Sequence, residues 1–304
     1  MRVLEFTVPQ EYHMARGKVF LRSFCGLSYH TVLMLKQVEN GVTADGKLLR
    51  VIDRVQAGQR VVIRLPEESR PMQTAVALSV PVVYEDDDVL VFNKPPFMPT
   101  HPSAGHADDT LANASAAYLA ARGLHCAFRP INRLDRNTSG LAVTAKHTHA
   151  ASRLSGKVEK IYLAVTQGIP AASGTICAPL RPMEGHGIRR EIGESGENAV
   201  THWRVWAEGN GHALLRVVID TGRTHQIRAH FSCSGYPLAG DDMYDGALTY
   251  IERHALHCAA VRFTHPVTEQ PIELFAPLPA DMAQLLQKCG MSAVRPEALL
   301  PFGP

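Results

Sequence analysis

Apolar and polar positions alternate with period two in short runs along the chain, and turn-forming residues bound each run. Leu141-Ala142-Val143-Thr144-Ala145-Lys146 is one such run, and residues 159–168, 201–206 and 213–220 are others, the last two turned at Gly209-Asn210-Gly211. This pattern predicts half-buried strands joined largely as hairpins. Within residues 159–168 it sends Ile161, Leu163 and Val165 to one face and Tyr162 and Ala164 to the other. Residues 82–96 read as strand, acidic turn at Asp86-Asp87-Asp88, strand, then a rigid proline exit. Adjacent side chains on a hairpin tip diverge, so the three aspartates are expected to form a solvated turn rather than a metal site. Nearer the N-terminus, a strand from Gly41 runs into an Asp45-Gly46 hairpin turn, and a strong strand covers residues 60–65.

Helical spacing is rarer. Ser28 is placed to cap a helix through about residue 38, with Val32, Leu33 and Leu35 on its buried face. Asp109 is placed to cap an Ala-rich helix over residues 110–122 that Gly123 ends. Residues 147–158 form a third helix, a fourth closes at Gly235 and Pro237, and residues 282–288 make a short amphipathic segment before a Pro-rich tail. Residues 168–200, rich in Gly and Pro, read as an irregular surface excursion carrying Arg181, Arg189 and Arg190. Hairpins dominate and no regular βαβ alternation appears, which predicts an α+β fold with a mixed, largely antiparallel sheet flanked by helices.

Composition narrows the class. The chain of 304 residues is long enough for one large unit and one small one, each with its own core. The polar stretch Pro66-Glu67-Glu68-Ser69-Arg70-Pro71 separates them, giving a small unit over 1–70, a linker over 71–79 and a large unit over 80–304. A formal charge of +2 is nearly balanced, so any nucleic-acid surface is a local patch. The six cysteines are scattered with no Cys-x-x-Cys pair, which argues against a zinc site or a disulfide framework and for a reducing compartment. The first residues have no signal-peptide core and no spanning segment, so a soluble, cytoplasmic protein is expected, with a monomer as the default.

Two stretches carry candidate chemistry. In Asn132-Arg133-Leu134-Asp135-Arg136-Asn137-Thr138-Ser139-Gly140 a carboxylate sits between two guanidiniums, on a loop of turn formers entering a strand. Alone, this reads more readily as a surface ion network of small energetic worth than as a catalytic acid. In Thr221-Gly222-Arg223-Thr224-His225-Gln226-Ile227-Arg228-Ala229-His230 a strand hands over to a helix. Helix N-terminal amides with Arg223 make a phosphate site there, and Arg228, one turn in, can reach back toward a carboxylate. His225 and His230 are five apart and face different ways, unlike the i,i+4 pair of zinc helices, so no metal is expected.

The first stretch resembles the catalytic motif of RluA-type pseudouridine synthases, with Asn132 where many members carry His. The second resembles the same family's Thr-Gly-Arg-Thr/Ser-His-Gln-Ile/Leu-Arg-x-His block, and Lys160-Ile161-Tyr162-Leu163-Ala164-Val165 its tyrosine strand. Asn93-Lys94-Pro95, Gly240-Asp241 with Tyr244, Leu256-His257-Cys258-Ala259 and His265-Pro266 follow in family order, so the resemblance spans roughly residues 80–280. The layout of the small unit resembles the RNA-binding domain, named after a small-subunit ribosomal protein, that precedes many such enzymes.

The resemblance implies the pseudouridine synthase fold and isomerisation of uridine in ribosomal or transfer RNA, without cofactor or metal. It makes Asp135 the essential acid, pairs Arg228 with it, and sets Tyr162 at the uracil ring, where it could also help remove the proton from carbon 5. Arg133, Arg136, Thr138, Lys94, Arg223 and His225 are the implied RNA contacts. Two other classes compete: a non-catalytic RNA-binding protein, and a carboxylate-dependent hydrolase with Asp241 or Asp242 as its second acid.

Overall fold

The computed structural model describes residues 2–65 and 73–292, together with Ala298 and Phe302. The polar stretch at 66–71 and the first two residues of the linker expected over 71–79 lie outside the described residues, as does most of the Pro-rich tail.

Four strands build the first sheet: β1 (Arg2–Thr7), β2 (Val42–Ala44), β3 (Lys47–Leu48) and β4 (Arg60–Leu65), in the order β1-β4-β2-β3. The β2–β3 turn is the expected Asp45-Gly46, with φ of 47° and 79°, the left-handed pair that a two-residue hairpin requires. Helices α1 (Gly17–Val19) and α2 (Tyr29–Leu35) cover the sheet, and Ser28 caps α2 by accepting from the Thr31 amide. The helix is shorter than its apolar spacing suggested. Val32 and Leu35 are buried as expected, whereas Leu33 turns outward, because Thr31 takes the third inward position.

The second sheet has nine strands. They are β5 (Val82–Glu85), β6 (Val89–Lys94), β7 (Ser139–Ala145), β8 (Glu159–Gln167), β9 (Ser173–Cys177), β12 (Val200–Gly209), β13 (His212–Ile219), β14 (Leu256–Thr264) and β15 (Pro271–Phe275). A separate pair, β10 (Leu180–Pro182) and β11 (Arg190–Ile192), lies between β9 and β12 in the chain. The large sheet runs β5-β6-β7-β14-β8-β13-β12-β9 with β15 on β14, and among these pairings only β7–β14 is parallel. The mixed, largely antiparallel sheet expected from the alternation is therefore present. Residues 168–200 are more regular than expected: Gly and Pro break them into three short strands, β9 to β11, instead of an irregular excursion.

Alternation along β8 assigns the two faces of the sheet. Tyr162 and Ala164 join one core with Leu215, Val217, Ile227 and Phe231, while Ile161, Leu163 and Val165 join the other with Met282, Leu285 and Leu286. Helices α3 (Leu111–Ala120), α4 (Thr148–Leu154), α5 (Gln226–Cys233) and α6 (Ala280–Lys288) flank the sheet. Thr110, not Asp109, caps α3, in a reciprocal box with Asn113, and Asp109 instead meets His106. His147, expected inside the third helix, caps α4 from outside.

The acidic turn is not simply solvated. Asp87 is exposed, but the Asp88 side chain is buried, receives Arg2 Nε and Nη2 at 2.7 and 2.9 Å, and meets His147 Nε2 at 2.7 Å. Burial would raise the Asp88 carboxyl, yet hydrogen bonds from His147 and Arg2 outweigh it and hold the group below its ordinary value. Asp86, Asp88 and His265 lie close enough to hold a cation, but the Arg2 guanidinium already lies against this group. The first and second sheets meet here, and Val267 packs on the core of the first.

The parallel β7–β14 pair needs one glycine. Gly140 has φ +109°, and a Cβ there would stand 2.2 Å from the Cys258 carbonyl oxygen. Backbone strain and overpacking each contribute roughly 1–3 kcal/mol, so Gly140→Ala is predicted to lower stability by roughly 2–5 kcal/mol in urea denaturation. A loss below about 0.5 kcal/mol, the range of an ordinary surface change, would contradict the close approach.

Candidate active site

The loop before β7 is fastened at nearly every residue. Asn132 Nδ2 donates to the Leu141 carbonyl at 3.0 Å and its Oδ1 accepts from the Val143 amide at 2.8 Å, tying the loop entry to β7. Leu134 is buried, and its carbonyl accepts from Thr100 Oγ1 at 2.8 Å. The Thr138 amide closes a turn onto the Asp135 carbonyl at 3.1 Å. With Leu134 anchored inward, Asp135 faces a cleft of about 590 Å³, and Arg133 and Arg136 stand exposed at its rim.

Arg228 faces Asp135 from α5. Its side chain is only 5% exposed, so it needs counter-charge and full hydrogen bonding. Nε and Nη2 donate to Asp241 at 2.7 and 2.8 Å, and Nη1 donates to Asp135 Oδ2 at 3.2 Å. The Tyr244 ring lies 4.9 Å from the guanidinium carbon. Burial pulls the Arg228 value down, but the carboxylates of Asp241 and Asp135 carry it above its ordinary level, so the cation is permanent. Asp241, considered from sequence as a second acid for hydrolysis, is fully buried in this pair, and Asp242 lies exposed at the rim.

His225 begins α5 with φ 55°, a left-handed conformation uncommon for a residue with a side chain. Its Nδ1 meets the Tyr244 hydroxyl at 3.1 Å, and its Nε2 lies 3.9 Å from Asp135 Oδ2. Burial pulls the imidazole down to about 4, so it is neutral at pH 7. His230 turns elsewhere, to Thr201 Oγ1 and the Ala178 carbonyl.

Tyr162 reaches the cleft from β8, where it pairs with Val217 on one side and Cys258 on the other. Burial lifts its phenol well above the ordinary value, with Cys258 and Asp135 adding to the shift. The group is a neutral phenol at pH 7, suited to ring contact.

Asp135, Tyr162, Arg228, Arg133, Arg136, Arg223 and His225 therefore line one cleft. Arg223 is engaged at its wall, donating to Glu197 at 2.8 Å and the Asn198 carbonyl at 3.2 Å. Its amide donates to Gln226 Oε1, so this helix-terminal donor is already capped from within. Two expected RNA contacts are engaged within the protein instead. Thr138 is buried, its hydroxyl 2.8 Å from His254 Nε2. Lys94 is 0% exposed and donates to the carbonyls of Pro95, Met98 and Arg136 at 2.9, 2.8 and 3.1 Å. It is an internal clamp on the Asp135 loop, not a phosphate ligand. Sequence reasoning also passed over Thr100, Arg253 and His254, whose partners lie far away in the chain and leave no local signal.

Burial pushes the Lys94 ammonium from 10.5 down to about 7. Between those values the unfolded chain holds a proton that the folded protein has lost, so this group makes stability rise with pH there, and its full penalty stands below about 7. The stability difference between wild type and Lys94→Met is predicted to move in favour of wild type from pH 7 to pH 10 in urea titrations. A pH-independent difference would contradict the depressed value.

The family model described as RNA pseudouridylate synthase matches residues 88–233, which include Asp135, Tyr162 and Arg228. The chain is 35% identical over 270 residues to the uncharacterized RNA pseudouridine synthase YjbO of Bacillus subtilis (strain 168), covering 86% of this chain and 95% of that protein. It is 36% identical over 267 residues to ribosomal large subunit pseudouridine synthase D of Pseudomonas aeruginosa, covering 81% and 82%. Human RNA pseudouridylate synthase domain containing 4 shares the fold, with a TM-score of 0.57 at 22% identity, over 69% of this chain and 92% of that one. With a sheet of the same architecture and relatives of this extent, the chain belongs to the RluA-type family of RNA pseudouridine synthases, isomerases that modify RNA.

Proposed function

We propose that the enzyme isomerises particular uridines of ribosomal or transfer RNA, with Asp135 as the essential acid, Arg228 as its fixed counter-charge and Tyr162 as the support for the uracil ring. The observation that carries this reading is one carboxylate, 3.2 Å from a buried guanidinium, sharing a cleft with a buried neutral phenol. In the reaction the bond from ribose carbon 1′ to ring nitrogen 1 breaks, the ring turns, and carbon 5 bonds to carbon 1′. A proton leaves carbon 5 and one is gained at nitrogen 1. Nothing is oxidised and nothing is transferred from another molecule, so the chemistry calls for no cofactor. Asp135 supplies negative charge at the sugar–base junction, and Arg228 keeps that charge oriented.

The target uridine must leave its stack to enter the cleft, at a cost of a few kcal/mol. Exposed Arg133 and Arg136 at the rim are placed to hold the phosphates of the flipped nucleotide. Arg223 joins them by exchanging an exposed ion pair of little energetic worth. His225, neutral and beside Asp135, contacts the nucleotide rather than its charge. Residues 1–70 form a small RNA-binding-like domain ahead of a catalytic domain over 80–304, and the enzyme works as a cytoplasmic monomer. Among the described residues no helix is long and apolar enough to cross a membrane.

The test is a map of pseudouridines in the host's total RNA after deletion of the gene, restored with wild type or Asp135→Ala. One or a few sites are predicted to vanish on deletion and return only with wild type. An unchanged map in every strain would move the binding-protein reading to the front.

A further inference from the structure

Arg253 precedes β14 and lies outside the cleft lining, yet it has the most heavily bonded side chain beneath the Asp135 loop among the described residues. The guanidinium is fully buried, which demands both counter-charge and acceptors. Asp281, in the first turn of α6, takes Nε at 2.6 Å and Nη2 at 3.0 Å. Nη1 donates to the Asn137 carbonyl at 2.9 Å and also reaches the carbonyls of His254 and Leu256 at 3.2 and 3.3 Å. Nη2 further donates to Ser139 Oγ at 3.3 Å.

Asn137 belongs to the loop that presents Asp135, and Ser139 opens the strand β7 that follows it. The carbonyl before that of Asn137, on Arg136, accepts from Lys94, and the hydroxyl of Thr138 meets His254, the neighbour of Arg253. Two successive carbonyls are thus held by two buried basic side chains, and a single anionic side chain on α6 anchors one of them. Burial alone would raise the Asp281 carboxyl, but the hydrogen bond and charge of Arg253 hold it below its ordinary value, so the anchor is ionised at pH 7.

We propose that Arg253, anchored by Asp281, is a positioning residue for the Asp135 loop, which makes the C-terminal helix α6 part of the catalytic apparatus. This rests on the reading of Asp135 as the essential acid. Neither side chain lines the cleft, so neither touches the RNA, and the loop's Arg133 and Arg136 reach the rim through exposed side chains that the anchor does not hold.

The experiment uses the full chain on an RNA that wild type modifies, with Asp281→Ala, Asp281→Asn and Asp281→Glu. Asp281 is 36% exposed, so its substitution leaves the core packing in place. For Asp281→Ala, kcat is predicted to fall at least tenfold with KM within twofold of wild type. Asp281→Asn falls less, and Asp281→Glu recovers most of the rate. Amide exchange of residues 135–139 should quicken in Asp281→Ala while the rest of the sheet stays protected. This second reading needs no activity, and it decides the matter if the rates are obscured by lower stability. Unchanged kcat, or exchange that rises throughout the sheet, would overturn the proposal. If wild type itself makes no pseudouridine, or Asp135→Ala is as active as wild type, the functional reading has failed and not the anchor.

Discussion

A buried guanidinium cannot be left without carboxylates, and Arg228 meets that constraint in a way that organises the cleft. Two of its nitrogens are taken by Asp241, which fixes the plane of the fork, and the remaining terminal nitrogen points at Asp135. Helix α5, the turn that carries Asp241 and the loop before β7 must all be in register for this to occur. The ring of Tyr244 against the guanidinium and His225 across the Tyr244 hydroxyl close the remaining sides. Burial holds the neighbouring imidazoles and phenol neutral, so Asp135 and Arg228 form the charged pair at the centre of the cleft, with Lys160 also on its lining. A fixed ion pair stabilises developing charge without rearranging when the reaction begins.

Much of this was legible in the chain. Period-two alternation located the strands of the large sheet, and the two faces of β8 fell as Ile161 and Tyr162 indicated. The Asp135 stretch taken alone read as a surface ion network, and it was its resemblance to a family motif, together with that of the Arg228 stretch, that marked the two as a site. The two errors over charge share a cause. Lys94 looked like a surface cation because a lysine's side chain is ordinarily solvated, and nothing near it in sequence shows that the Arg136 carbonyl waits for it. Asp88 looked like part of a solvated turn, and only the return of Arg2 and His147 from distant segments makes it a buried anion. Thr110 displaced Asp109 as a cap because Asn113 completes a reciprocal box with it. Burial of charge is decided by long-range pairing, which local patterns do not encode.

The account therefore rests on one chain of contacts, from Asp241 through Arg228 to Asp135. Asp241→Asn tests it most directly, since it keeps the shape of the side chain and removes the charge that holds the fork. The single-turnover rate on a modified RNA is predicted to drop more than tenfold, with RNA affinity unchanged within twofold. A rate equal to that of wild type would show that Asp135 is aimed by something other than Arg228.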